Sequence, residues 1–203
     1  MVREQIEARG VDDPAVLLAM LAVPRERFVP IEYEDRAYDD SPLPIGWEQT
    51  ISQPYIVALM AAALRLRPDD RALEIGSGSG YAAAVLSRLA RDVFTVEIRD
   101  DLADAARRRL ADLGIGNVHV RAGDGSAGWP EHAPYDAIVV TACAPEVPPA
   151  LLAQLSPGGR LVMPVGVTRA PQRLVRIARG AGGEAVVEDF GSVRFVPLLG
   201  RGG

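Results

Sequence analysis

The chain has 203 residues with 22 basic and 27 acidic side chains, so its formal net charge is −5, and every basic residue is an arginine. Without a lysine it can form no Schiff base, anchor no pyridoxal phosphate and build no lysine-dependent phosphate loop. Two histidines, His119 and His132, and one cysteine, Cys143, are too few for a four-ligand structural zinc site and exclude an intrachain disulfide.

The first 54 residues are predicted to be helical and then irregular. Apolar residues recur at helical spacing over 2–9 and 15–21, after which closely spaced prolines forbid long regular elements. A third helical pattern covers 53–65. Because this N-terminal extension is too small and proline-rich to hold a core alone, we expect it to pack over the open end of the following sheet as a lid or substrate wall.

From residue 71 the pattern changes to short β-rich runs separated by helical stretches, which is typical of a parallel sheet covered on both faces. Strands are predicted at 71–75, 93–98, 118–122, 137–141 and 160–165, with helices at 81–90, 100–113 and 148–155. Three further strands, at 174–178, 186–189 and 193–198, lack helices between them and should be antiparallel at one sheet edge. The predicted fold class is α/β, with a doubly wound, mostly parallel sheet in a single domain over residues 1–203.

A glycine-rich turn joins the first predicted strand to its helix, with Gly76, Gly78 and Gly80 at alternate positions after Glu74. Alternating glycines let the backbone turn sharply and let a ligand approach it, although many such turns are only flexible connections. Glu97 ends the second strand, 21 residues after Gly76. That is near the spacing at which an acid meets ribose hydroxyls in nucleotide-binding units.

A further acid, Asp124, follows the third strand between Gly123 and Gly125. A single surface acid at a strand end is usually only solvated. Here acids recur at the carboxyl ends of consecutive strands, which is where a doubly wound sheet binds its ligand.

Two cofactor classes fit this pattern. The stretch from Gly78 to Ala83 formally matches the dinucleotide fingerprint with alanine in the last place, which keeps a nicotinamide- or flavin-dependent enzyme open. If the fingerprint begins at Gly78, Glu74 and Gly76 have no role in it. An acid just ahead of the loop would also repel a pyrophosphate. The acidic lining therefore favours S-adenosyl-L-methionine, which carries an ammonium and a sulfonium and no phosphate, and we expect no metal.

Longer motifs follow one another along the chain: Pro42-Leu-Pro-Ile-Gly46, Gln49-Thr-Ile-Ser-Gln-Pro54, Gly123-Asp-Gly125 with Gly128-Trp-Pro130, Val140-Thr141 ahead of Ala144-Pro145, and Phe195-Val-Pro-Leu198. In this order and at these separations, the sequence resembles the protein-L-isoaspartate O-methyltransferase family of Rossmann-like methyltransferases. The resemblance runs from the N-terminal helices to the last predicted strand. Two positions depart from it, because Glu48 stands where glycine is expected and Cys143 where alanine is usual.

The resemblance implies that the segment Thr50, Ile51, Ser52 and Gln53 holds the substrate carboxylate, with Ser52 as the active-site serine. From spacing alone, a serine just ahead of Pro54 is also a natural helix cap. A free aspartyl-type carboxylate is ionised at neutral pH, so methyl transfer to it needs no base. The reaction would depend on orientation and on removal of water from the nucleophile, and we expect neither histidine to act.

The cofactor site is predicted to comprise residues of the glycine loop, the acids at the strand ends and the threonine after the fourth strand: Glu74, Gly76, Ser77, Gly78, Gly80, Glu97, Gly123, Asp124, Gly125 and Thr141. The glycines should surround the amino-acid end of S-adenosylmethionine. Glu97 should bind the ribose hydroxyls and Asp124 the adenine amine.

We therefore expect an enzyme that methylates the free carboxylate of L-isoaspartyl residues in damaged proteins or peptides, which the resemblance makes a repair activity. A methyltransferase of the same fold acting on another carboxylate, suggested by Glu48, and an NAD(P)-dependent oxidoreductase are the alternatives. The acidic charge argues against nucleic acid as a partner, and the longest apolar run is far shorter than the roughly 20 residues of a membrane span. We expect a cytoplasmic monomer.

Overall fold

The computed structural model of the chain describes residues 1–168, 170–179 and 185–200. The strands within these residues are β1 (Leu43–Gly46), β2 (Gln49–Ile51), β3 (Arg71–Ile75), β4 (Asp92–Glu97), β5 (Val118–Ala122), β6 (Tyr135–Val140), β7 (Leu155–Val165), β8 (Gln172–Arg179) and β9 (Ala185–Val193). The α-helices are α1 (Pro14–Ala22), α2 (Pro54–Leu64), α3 (Tyr81–Leu86), α4 (Asp100–Asp112) and α5 (Pro149–Ala153). Short helical turns occupy Val2–Ile6, Glu7–Arg9, Arg25–Phe28, Ile31–Arg36, Gly125–Ala127 and Pro130–His132.

Seven of these strands form one sheet in the order β5-β4-β3-β6-β7-β8-β9. The first five are parallel, whereas β8 and β9 are antiparallel at the edge. The chain moves outward in one direction from β3 to β5 and then returns to place β6 on the other side of β3. A reversal of this kind opens a crevice beyond the carboxyl ends of the strands. The predicted α/β fold class, with its antiparallel C-terminal strands, is confirmed.

The alternation of strand side chains divides the core between the two faces of the sheet. Ala72 and Val93 pack with the N-terminal extension and with α2, α3 and α4 on one face. Leu73, Ile75 and Phe94 pack on the opposite face with α5 and β7. Both faces of the parallel strands are therefore buried, which explains their nearly continuous apolar sequences.

The N-terminal extension shares a core with the sheet. Asp13 caps α1 by accepting a 2.9 Å hydrogen bond from the Ala15 amide, and α1 packs against α2 and α3. The small hairpin of β1 and β2 then delivers residues 49–52 to the carboxyl ends of the parallel strands, as expected of a substrate wall. The division of the chain as a single domain over residues 1–203 stays a prediction. Among the described residues, none of the helices is long and apolar enough to cross a membrane.

Two regions differ from the sequence prediction. The hairpin of β1 and β2 was not expected, because its prolines indicated an irregular segment, but Pro44 lies on a two-stranded ribbon, where a missing N–H is tolerated. The strand predicted at 193–198 is wrong: β9 already ends at Val193, and it spans the strand predicted at 186–189. The chain then leaves the sheet and lies along the loop after β6, where the Cys143 amide donates to the Val196 carbonyl at 2.8 Å.

Candidate active site

A cleft with about 810 Å³ of space, partly open to solvent, lies beyond the carboxyl ends of β3, β4 and β6. Five segments that are distant in sequence meet there. They are the stretch 49–52 after the hairpin, the glycine loop at 75–79, residues 96–99 after β4, the pair 141–142 after β6, and residues 196–199 near the C-terminus. Gly125 adds the backbone after β5. The cleft therefore occupies the reversal point of the strand order.

The glycine loop at the floor of the cleft has φ angles that residues with a side chain rarely adopt. Gly76, Gly78 and Gly80 have φ angles of +96°, +50° and +89°, all in the left-handed region. A Cβ atom on Gly76 would overlap the hydroxyl of Thr141. That hydroxyl donates to the Gly76 carbonyl at 2.7 Å and lies 3.0 Å from the Ile75 carbonyl. Thr141 therefore lines the cleft and connects the glycine loop to the end of β6 through its hydroxyl.

Glu97 lies in the wall of the cleft with its carboxylate held by backbone. One oxygen accepts a hydrogen bond from the Gly78 amide at 2.8 Å, and the other accepts from the Arg99 amide at 3.1 Å. Each carboxylate oxygen has a further lone pair with which it can accept a ligand hydroxyl. Glu97 thus lines the cleft, and its assignment to the ribose stays a prediction.

The structure places Glu74 beneath the glycine loop and not in the cleft wall. Its side chain is fully buried, and Oε2 accepts a 2.6 Å hydrogen bond from the Thr95 hydroxyl, which lies 2.5 Å from the Ser77 hydroxyl. Burial raises the pKa of Glu74 to about 8. The side chain lies under the loop and outside the cleft lining, where it supports the loop, and its assignment to the cofactor stays a prediction.

Replacement of Glu74 by glutamine is expected to flatten the pH dependence of the free energy of unfolding. In the unfolded chain this carboxyl ionises near 4.5, whereas in the folded protein it stays protonated to about 8. The unfolded state therefore loses a proton first, and stability falls as pH rises from about 4.5 to about 8, by at most about 1.4 kcal/mol per pH unit. Urea unfolding across pH 5 to 9 measures this slope. An equal slope in Glu74→Gln and wild type between pH 5 and 8 would contradict the assignment.

Four other predicted site residues lie beside the cleft. Gly80 packs against Ala106 of α4, Gly123 precedes Asp124 on the loop after β5, and Gln53 donates to Asp40 at 2.7 Å. Asp124 accepts hydrogen bonds from the amide and hydroxyl of Ser126 at 2.9 and 2.7 Å and lies against Gly200 of the C-terminal segment. It adjoins the cleft through Gly125.

Ser52 lies on the cleft wall next to Thr50 and Ile51. Helix α2 begins at Pro54 with Gln53 as its cap residue, and no side chain makes a capping hydrogen bond. Within the described part of the chain, the Ser52 hydroxyl makes no hydrogen bond at all. The interpretation of Ser52 as a helix cap is therefore wrong, and the hydroxyl is available to a ligand.

Behind Ser52 the cleft continues into a second, apolar cavity between α2, α3 and β6, with about 350 Å³ of space that is partly open to solvent. Its walls are almost entirely aliphatic, and it shares Ser52 and Thr141 with the cleft. An apolar wall beside a hydroxyl removes water from any anion that the hydroxyl binds.

Three residues that support the site escaped prediction. Arg25 is fully buried and its Nη2 donates to the Ser52 carbonyl at 2.7 Å. Arg109 of α4 donates to the Ser79 carbonyl at 3.2 Å. Thr95 connects Glu74 to Ser77 from inside β4. A hydroxyl within an otherwise apolar strand was a signal for Thr95, whereas nothing in the local sequence distinguishes the two arginines from surface ones.

The histidines and the cysteine lie outside the lining of the cleft. The rings of His119 and His132 stack on Phe94 at centroid distances of 4.8 and 4.4 Å, which agrees with a structural role. Cys143 is buried in the loop after β6, where its Sγ lies 3.6 Å from the Phe195 carbonyl. Among the residues described, no group of three or more His, Cys, Asp or Glu side chains is placed to hold a metal ion.

Glu48 and Trp47 form the two-residue turn between β1 and β2, with φ angles of +59° and +50°. Turns of this type favour glycine at the second position, so the expectation of glycine at position 48 has a backbone reason. The Glu48 side chain is exposed, does not line the cleft, and bonds to no loop N–H in the described residues.

Comparisons with known proteins agree with one another. The family model described as protein-L-isoaspartate(D-aspartate) O-methyltransferase matches residues 1–203. The protein-L-isoaspartate O-methyltransferase 1 of Rhodopseudomonas palustris (strain HaA2) is 60% identical over 203 residues, which are 100% of this chain and 83% of that protein. The corresponding enzyme of Protochlamydia amoebophila is 52% identical over 203 residues, which are 100% of this chain and 97% of that protein.

Two solved structures share this fold over nearly the whole chain. One, a protein-L-isoaspartate O-methyltransferase, has a TM-score of 0.87 at 33% identity and covers 100% of this chain and 67% of its own. The other, a candidate protein-L-isoaspartate O-methyltransferase of Plasmodium falciparum in complex with S-adenosyl-L-homocysteine, has a TM-score of 0.82 at 26% identity. It covers 98% of this chain and 96% of its own.

Proposed function

Because the chain belongs to the protein-L-isoaspartate(D-aspartate) O-methyltransferase family, we propose that its cleft brings S-adenosylmethionine and an isoaspartyl carboxylate together. The protein is a methyltransferase, EC 2.1.1.77, that transfers the methyl group of S-adenosylmethionine to L-isoaspartyl residues of damaged proteins. As membership of the family implies, the following backbone nitrogen displaces methanol from the methyl ester to form a succinimide, and water reopens this ring partly to normal aspartate, so the activity is one of repair. The observation that supports the proposed roles is the unbonded hydroxyl of Ser52, placed in one cleft with Glu97 and the glycine loop.

The residues of the cleft suit a cofactor with a cationic end and a ribose. Gly76 and Gly78, which line the cleft, are assigned to the amino-acid end, and Glu97 has lone pairs for the ribose hydroxyls. Ile98, which is 41% exposed on the cleft wall, offers an apolar surface to the adenine, whose amine is assigned to Asp124. When bound, the cofactor supplies an electrophilic methyl group on its sulfonium.

The substrate carboxylate is assigned to the hydroxyls of Ser52 and Thr50. Such a carboxyl group has a pKa of about 4, so it arrives ionised and no residue of the chain has to remove a proton. The remaining tasks are to orient the carboxylate oxygen and to exclude water. The hydroxyls do the first by donating hydrogen bonds, and the apolar cavity behind Ser52 does the second.

A pair of peptides that differ only in an isoaspartyl or a normal aspartyl linkage tests this function. We expect labelled methyl ester, or released methanol, from the isoaspartyl peptide alone. Equal labelling of both peptides would indicate a methyltransferase for another carboxylate, which is the alternative that Glu48 suggested. A rise of the melting temperature with NADH and none with S-adenosylhomocysteine would support the oxidoreductase alternative.

We further propose that the enzyme works as a cytoplasmic monomer without nucleic acid. The net charge of −5 disfavours a nucleic-acid surface. The single cysteine is free and buried, which fits a reducing compartment.

A further inference from the structure

Arg25 is a buried cation that contacts the N-terminal extension and two residues of the cleft wall. Its Nε donates to the Ala37 carbonyl at 2.7 Å, and its Nη2 donates to the Ser52 carbonyl at 2.7 Å. The guanidinium carbon lies 4.7 Å from the centre of the Tyr81 ring, which belongs to the first residue of α3 and lines the cleft. One side chain thus connects the N-terminal extension, the substrate segment and the helix after the glycine loop.

The charge of Arg25 is not balanced by a contacting acid. Its Nε and Nη2 donate to neutral carbonyls, the Tyr81 hydroxyl interacts with it as a further neutral group, and its Nη1 is buried with no partner among the described residues. Asp40 acts on it only at longer range: the Oδ2 atom of Asp40 accepts from Arg9 and Gln53 at 2.7 Å each, and its Oδ1 atom is buried without a hydrogen bond to Arg25. Burial lowers the pKa of Arg25, but a guanidinium stays protonated in proteins. A buried charge of this kind is unfavourable until an anion approaches it.

A second buried arginine shows what a structural role looks like in this fold. Arg176 is only 3% exposed, and its Nη1 likewise donates to a backbone carbonyl, that of Ala63, at 2.9 Å. Its Nη2, however, is paired with the carboxylate of Glu188 at 2.5 Å. Arg176 therefore has its own anion, whereas Arg25 lacks one beside the wall where the substrate anion binds.

We propose that Arg25 is a positioning residue for the substrate: it holds the backbone of Ser52 and supplies the positive potential that attracts the isoaspartyl carboxylate. This inference rests on the function proposed above, because it takes Ser52 as the residue that receives the carboxylate. The attraction acts on the carboxylate as an anion, so it should discriminate an isoaspartyl peptide from the same peptide with a neutral amide in place of that carboxylate.

The test compares wild type with Arg25→Gln, Arg25→Lys and the matched control Arg176→Gln. We expect Arg25→Gln to raise the KM for an isoaspartyl peptide roughly tenfold or more, with a smaller change in kcat at saturation. The inhibition constant of the amide peptide should change little, so the preference for the anion should largely disappear. Arg25→Lys keeps the charge and should restore most of that preference, and Arg176→Gln should leave KM unchanged. The rise of melting temperature with S-adenosylhomocysteine verifies that each variant is folded.

Several outcomes would overturn the proposal. If Arg25→Gln weakens the binding of the carboxylate peptide and the amide peptide equally, Arg25 has only a structural role. The same conclusion follows if Arg176→Gln raises KM as much as Arg25→Gln does. If Arg25→Gln does not fold, Arg25→Met provides a neutral side chain that still packs on Tyr81, and the same comparison applies. If wild type fails to methylate the isoaspartyl peptide, the proposed function fails, whereas an active wild type with an unchanged preference in the variants refutes the role of Arg25 alone.

Discussion

Replacing Gly76 with alanine is expected to weaken cofactor binding by about 100-fold or more, equivalent to about 3 kcal/mol. The φ angle of +96° is strained for any side chain, and the new Cβ would overlap the Thr141 hydroxyl. That hydroxyl also fastens the loop through the Gly76 carbonyl, so the clash has to displace the loop or Thr141. Titration calorimetry with S-adenosylhomocysteine measures the loss.

Gly114 provides the matched control for this substitution. It also has a positive φ angle, +66°, but a Cβ atom there would meet nothing within 4 Å, and it lies after the end of α4. Gly114→Ala should therefore lower stability by about 1 kcal/mol and leave cofactor affinity unchanged. A Gly76→Ala enzyme that binds S-adenosylhomocysteine like Gly114→Ala would show that the glycine loop is not where the cofactor binds.

Replacing Ser52 with alanine is expected to lower kcat/KM for an isoaspartyl peptide by about 10- to 100-fold, because it removes a hydrogen bond to a charged group. Stability should hardly change, since the hydroxyl bonds to nothing in the described residues and the carbonyl that Arg25 holds is retained. Binding of S-adenosylhomocysteine should be unaffected, because Ser52 belongs to the substrate wall.

Ser41→Ala is the control for Ser52→Ala. Ser41 belongs to the same N-terminal extension but does not line the cleft, so its removal should leave kcat/KM unchanged. If both variants lose activity equally, the effect comes from disturbance of the extension. If Ser52→Ala retains full activity, the carboxylate is held elsewhere and Thr50 becomes the residue to replace.

The unusual composition of the chain agrees with this chemistry. The carboxylate is already ionised when it binds, so the reaction needs no general base. The absence of lysine and the scarcity of histidine therefore do not impede it. The cation that we propose to position the substrate, Arg25, is a permanently charged and planar guanidinium that donates hydrogen bonds in fixed directions. Among the acids, Glu97 lies in the cleft whereas Glu74 lies under the loop. The sequence does not distinguish them, because both stand near the carboxyl end of a strand.

Much of the fold followed from local pattern. The strands at 71–75 and 118–122 have the predicted bounds, and most other elements differ by only a few residues at their ends. Strand identity was predictable because an apolar run of five residues between turn signals has few alternatives. The hairpin of β1 and β2 was missed because prolines act as breakers in most contexts but are tolerated on a short two-stranded ribbon.

By itself the sequence determined the α/β order, the glycine loop, the acids at the strand ends and the segment that carries Ser52. These features depend on neighbouring residues, and the carboxyl ends of parallel strands meet at one edge of the sheet. Only the tertiary structure decided the burial of Glu74, the free hydroxyl of Ser52 and the partners of Arg25. The Arg25 contacts join residues 12 and 27 positions apart in the chain. Burial and hydrogen bonding between distant segments change the charge and role of a side chain, and a local pattern of residue types does not encode them.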